Sequence, residues 1–129
     1  MPAQQNQVLR SILLVVGLVF IFGVWPLMIY WPAGWQWQPG QAEYEQMILG
    51  LYATLGVFLV LASRNPTGHR SLIQFAGWSS LVHAGIMAVQ AFRDPAERGH
   101  FLGDIPVLAV VGIVLLVLLP RGPAAQSPA

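Results

Sequence analysis

The chain has 129 residues, of which 56% are apolar and only 9% charged, where soluble domains carry about a quarter charged residues. That composition excludes an ordinary soluble domain, whose core needs a polar cover, and a net charge of +1 excludes the basic surface that nucleic acid requires. The absence of cysteine removes disulfides, thiolate metal sites and thiol catalysis together.

What remains is a membrane protein of one domain, residues 1–129, with spans expected over 11–31, 46–63, 71–92 and 105–120. Met1 to Arg10 is a polar leader ending in one positive charge, and Ser11 to Trp31 then runs 21 residues without a charge. A cleaved signal peptide has a shorter apolar core and a small-residue cleavage site, so this run reads as an uncleaved first span. Pro26 lacks a backbone donor, which predicts a kink or an early end near Val24 and Trp25. Trp25, Tyr30, Trp31, Trp35 and Trp37 lie close together in WPLMIYWPAGWQWQP. Half-desolvated indole and phenol rings suit the headgroup level, so this loop is expected at the membrane interface; a stacking platform for a sugar or aromatic ligand is the sharper alternative.

The second span, Gln46 to Ser63, is preceded by Glu43 and Glu45, whose charges suit the positive end of a helix. The link SRNPTGHR is short, and Asn65 before Pro66 is a cap followed by a first-turn proline, with Ser71 and Gln74 a second capping box. Spans two and three therefore form a tight antiparallel hairpin. The third span, Ser71 to Phe92, has no charge yet carries Gln74, Ser79, Ser80, His83 and Gln90. After it, Asp94-Pro95-Ala96-Glu97 reads as cap, first-turn proline and capping glutamate, opening a short helical turn at the surface. The fourth span, Ile105 to Pro120, is nearly all Val, Leu and Ile and can face lipid on most sides. The tail 122–129 is Pro, Ala and Ser and is expected to be disordered.

Orientation follows from arginine, since there is no lysine. Arg10, Arg64, Arg70 and Arg121 fall on one side; Arg93 and Arg98 fall on the other with Asp94, Glu97, Glu43 and Glu45. The excess marks the cytoplasmic side and puts both termini there, in a bacterial inner membrane. The fold class is then all-α, an integral membrane four-helix bundle, N-in and C-in. The lipid bilayer is its first partner, and the wholly apolar fourth span leaves room for a second copy or a larger membrane complex.

In the third span Ala76, Ser80, Ala84 and Ala88 recur every four residues, a small-residue stripe that lets another helix approach closely and marks the face turned inward. His83 lies beside that stripe, with Met87 and Gln90 following on the same side. At 1.5 Å per residue it sits roughly 18 Å into the helix, too deep to snorkel. An ionisable group at such depth is a functional candidate whose partner must be named: Ser79, Ser80, Tyr52, Thr54, Tyr44 and Gln46 are within reach of the argument. The plainer assignment is a hydrogen-bonded polar residue that fixes helix register. The sharper ones are an axial haem ligand with Met87, and a quinone or proton site using His83, Gln90 and Tyr44 with Glu43 or Glu45 leading outward. His83, Met87 and Gln90 are thus the cofactor candidates, although no cofactor follows from the residues alone. Glu43, Glu45, His100 and Asp104 share the outer side and could bind a metal, but no ligand spacing supports it and a solvated charge cluster is the simpler expectation. No catalytic constellation is present.

The pieces YEQM at Tyr44 to Met47, ASRNP at Ala62 to Pro66, and SSLVHAGIM with Gln90 resemble a family of small uncharacterised bacterial membrane proteins (DUF6632), the resemblance covering Ser11 to Arg121. It implies four spans and no assigned activity, so no catalytic residue carries over. The leading expectation is a non-enzymatic accessory or interaction subunit; the alternatives are a redox, quinone or haem-linked component centred on His83, and a small-solute or proton carrier.

Overall fold

The computed structural model describes residues 3–36 and 42–121, and all regular structure among them is helical. Trp37 of the aromatic loop and the tail 122–129 lie outside the described residues. Helix α1, Ala3–Leu18, passes through a π turn, Val19–Gly23, into α2, Val24–Tyr30. The π turn is the answer to Pro26. Proline has no N–H to give to the carbonyl four residues back, Phe22, and a widened turn just before it absorbs the mismatch. The helix therefore runs through Val24 and Trp25 to Tyr30, which overturns the early end of the two outcomes expected there. Trp31, at φ −138° and ψ 64°, breaks it, and Pro32 opens the short α3, Pro32–Trp35.

Helix α4, Ala42–Ala62, carries Glu43 and Glu45 in its first turn. Asn65 then caps the 3-10 turn Pro66–His69 by accepting the Gly68 N–H at 3.4 Å, with Pro66 in the first-turn position. Helix α5 begins one residue later, Arg70–Arg93. Ser71 is inside it and caps nothing. Asp94 caps the next 3-10 segment, Pro95–Leu102, by accepting the Ala96 N–H at 3.0 Å. Helix α6, Asp104–Val117, closes the chain.

Ala3–Tyr30, Glu43–Ala62 and Pro66–Arg93 are long and apolar enough to cross a membrane. The fourth expected span is different. Helix α6 alone has 14 residues, about 21 Å, short of a roughly 30 Å hydrocarbon core. Together with Pro95–Leu102, from which it bends by 44°, it reaches spanning length.

The helices pack chiefly as two pairs. Helix α1 lies on α4 and α5 lies on α6, while α4 and α5 touch sparsely. Each pair is closed by facing glycines. A Cβ on Gly17 would stand 2.7 Å from the Gly56 carbonyl, and one on Gly112 would stand 2.8 Å from the Gly77 carbonyl, so in both places only a hydrogen fits. The α5 stripe contributes to the same packing: Ala76, Ser80 and Ala84 are buried and Ala88 is half-buried. Ser80 is fully enclosed and its hydroxyl has no hydrogen-bond partner among the described residues. On the other face of α5, Phe75, Trp78, Val82, Ile86 and Val89 are exposed, an apolar surface of the kind that lipid rather than water covers.

Arg70 ties the start of α5 to the chain end of α6, its Nε donating to the Pro120 carbonyl at 2.7 Å. Arg70, one of the arginines counted for orientation, thus also makes an internal bond. At the other end α3 seats on the Pro95–Leu102 segment: a Cβ on Gly99 would meet the Ala33 carbonyl at 2.5 Å, and one on Gly103 would overlap the Gly34 carbonyl.

Candidate functional site

Where the two pairs diverge, opposite the Ser63–His69 hairpin, they leave a pocket of about 110 Å³, room for roughly one aromatic ring or a few waters. Six helical elements contribute to it. Phe20 comes from the π turn, Met28 from α2, Trp35 from α3, Leu49 from α4, Met87 from α5 and Leu108 from α6. Its polar lining residues are few: Glu45, Tyr52, His83 and Asp104.

The Tyr52 hydroxyl is hydrogen-bonded to His83 Nδ1, joining α4 to α5 where the helices otherwise touch little. Phe20 meets the Tyr52 ring edge-on at 5.0 Å and 85°, and the imidazole lies 5.4 Å from that ring at 30°. The phenol donates to Nδ1 or accepts from it according to which ring nitrogen carries the hydrogen, and in either case one hydrogen of the pair is free to meet a further acceptor.

The second group is centred on His100, 1% exposed. Its Nδ1 is 2.9 Å from Asp104 Oδ1, and its Nε2 is 3.0 Å from Glu97 Oε2 and 3.1 Å from the Gln36 carbonyl. The spacing explains the assembly, since Glu97, His100 and Asp104 are three and four residues apart on a tight helical course. Each ring nitrogen thus faces at least one oxygen of a carboxyl or carbonyl group. Asp104 belongs to both groups, held by His100 while lining the pocket.

The structure thus brings His83, Met87, Glu45 and Asp104 to one pocket and leaves Gln90 and Glu43 outside it. Gln90 is exposed, because the inward face near the end of α5 is that of Met87 and Ala91. Glu43 is exposed as a solvated charge would be, but His100 and Asp104 are buried, which corrects the expectation of one solvated outer cluster. Glu97, expected as a capping group, is buried against His100 instead. Among the described residues no three His, Asp or Glu side chains are arranged to hold a metal ion. Among the other partners proposed for His83, Thr54 is bonded to the Gly50 carbonyl at 2.9 Å and Ser79 to the Ala76 carbonyl at 3.3 Å.

One participant escaped the sequence argument. Trp35, assigned to an interfacial belt, is buried in the pocket wall, and its indole N–H has no partner among the described residues. Glycines 34 and 103 permit this, by letting α3 lie against the Pro95–Leu102 segment. Trp25, Tyr30 and Trp31 are exposed.

No curated protein and no solved structure matches the chain. Residues 3–129 match a family of unknown function, DUF6632, over nearly the whole length. The chain therefore belongs to the DUF6632 family.

Proposed function

We propose that this is a bacterial inner-membrane protein with four spans and both termini in the cytoplasm, and that it acts as a non-enzymatic component holding a small lipid-soluble molecule between its helix pairs. The orientation is supported by the arginine excess at Arg10, Arg64, Arg70 and Arg121. The fourth span is the bent pair Pro95–Leu102 and α6. Because the chain has no cysteine, single cysteines placed at Thr67 and Ala96 report the two sides directly. In spheroplasts an impermeant maleimide is expected to label the Ala96→Cys protein at once and the Thr67→Cys protein only after lysis; the reverse pattern rules the orientation out.

The observation that carries the binding role is the pocket itself, mostly apolar in its walls with a hydrogen-bonded Tyr52–His83 pair at its side. Apolar pockets with a few convergent polar groups, lying between helices, are where small molecules bind. A purely structural Tyr52–His83 bond would need no space beside it. The expected result is that protein purified from native membranes carries about one equivalent of a small apolar compound, recovered by solvent extraction and mass spectrometry. Leu49→Trp, which fills the pocket, is expected to elute as the same species with the compound lost. Equal recovery from both proteins, or from neither, counts against the role.

A further inference from the structure

Trp35 is 8% exposed and lines the pocket, yet its indole N–H has no partner among the described residues. A buried donor so left is rare in a native structure and points to a guest. That hydrogen, and the free one of the Tyr52–His83 pair, can be met by a water, a lining carboxyl or any ligand oxygen, so neither of them chooses the guest. Charge does. The lining includes two acid side chains, Glu45 from α4 and Asp104 from α6, and no arginine, while the chain has no lysine. Arg93 and Arg98, the arginines nearest this end, are exposed. The His100 imidazole behind Asp104 is shared with Glu97, one base between two acids, and cannot cancel the charge of the wall. His83 is the one basic side chain in the lining, and an imidazole sheds its proton readily near neutral pH, so no fixed positive charge stands there.

We infer, on the premise that the pocket holds a ligand, that the ligand is a lipophilic amine bound as its ammonium, with Glu45 and Asp104 receiving the cationic head. Such a compound is lipid-soluble as the free base and cationic once protonated. An apolar guest would strip water from both carboxyls and return no hydrogen bond, and an anion would oppose them. An ammonium supplies donors and the opposite charge together. Phe20, Trp35 and Tyr52 wall the apolar remainder, and aromatic rings attract a cation beside them. The volume of about 110 Å³ limits that remainder to roughly one ring. The amine is a free one, because the ammonium of a phospholipid headgroup brings a phosphate that the two carboxyls repel.

Benzylammonium, ethylbenzene and benzyl alcohol share the benzyl group and differ only in a terminal group that is cationic, apolar or neutral and polar. Calorimetric titration of the full-length protein at neutral pH in a non-ionic detergent, with empty micelles subtracted, is expected to show saturable binding of benzylammonium, at least tenfold tighter than either neutral probe. Glu45→Gln is expected to weaken benzylammonium about tenfold and so to narrow its lead over benzyl alcohol, with the protein still monodisperse; Asp104→Asn is expected to act in the same sense. Should one variant fail to fold, the other carries the comparison. If the three probes bind equally, or benzyl alcohol binds best, the pocket is a ligand site that charge does not govern, and the inference fails while the binding role stands. A lead for benzylammonium that survives both substitutions overturns the inference as well. Binding of no probe removes the inference and the binding role together.

Discussion

Replacing His100 by leucine is expected to destabilise the protein by about 3–5 kcal/mol, because it removes the imidazole that two buried carboxyl groups share. Glu97 is 6% exposed and Asp104 7% exposed, so neither can turn to water without moving the backbone that carries it. The leucine fills part of the volume but offers no hydrogen to Glu97 Oε2, Asp104 Oδ1 or the Gln36 carbonyl. Thermal unfolding in detergent measures the loss. Its origin in charge is checked by adding Glu97→Gln and Asp104→Asn to the His100→Leu protein. Neutral amides are far easier to bury than unpaired carboxylates, so the triple variant is expected to regain part of the lost stability. A single variant as stable as the parent would mean that the cluster is solvated in the membrane-bound protein.

The second large effect is expected at the crossing of α1 and α4. A Cβ on Gly56 would stand 2.6 Å from the Gly17 carbonyl, 2.9 Å from Ile21 Cγ1 and 3.0 Å from Phe20 Cβ. Two of those obstacles are backbone or backbone-near and cannot swing aside, so Gly56→Val must push the helices apart. Overpacking of this kind costs about 1–3 kcal/mol and sometimes more. Small residues are what allow helices to approach in a bilayer, where no hydrophobic force presses them together. The change has a second consequence, because Tyr52 is one turn from Gly56 and Phe20 one turn from Gly17, and both line the pocket. Gly56→Val is therefore expected to lower the unfolding midpoint and to weaken ligand binding together. Gly50→Val is the control: a Cβ there meets nothing within 4 Å, and neither property should change. Equal behaviour of the two variants would refute the close crossing.

The contrast between Gly50 and Gly56 shows where sequence reasoning stops. Both glycines lie in the same apolar run, six residues apart, and only the partner helix decides which of them matters. The runs themselves were legible, because an uncharged stretch of spanning length needs no tertiary information to be recognised. So were Asn65-Pro66 and Asp94-Pro95, whose capping chemistry is local. His83 stood out as the imidazole of an otherwise uncharged helix, and Tyr52 was among its named partners. Choosing Tyr52 from that set required the relative rotation of α4 and α5, which two helices of nearly uniform hydrophobicity do not encode. The His100 group is another case, since the spacing of Glu97, His100 and Asp104 was visible in the chain. Local chemistry offered Glu97 a capping role, and the burial that pairs it with His100 arises only when α3 covers the segment.

That covering has a mechanical meaning. The two helix pairs are joined by peptide bonds at the Ser63–His69 end and, some 25 Å away along α4, by non-covalent contact between α3 and the Pro95–Leu102 segment. The pocket sits at the non-covalent end. The molecule is in effect a pair of tongs, hinged at the hairpin and latched by Gly34 on Gly103, Ala33 on Gly99 and the Gln36 carbonyl on His100. A splay of only about 5° at the hinge, carried along that lever arm, parts the tips by roughly 2 Å. The width of the pocket is therefore set by these latches together with the Tyr52–His83 bond that also ties the arms, and not by the packed interior of either arm.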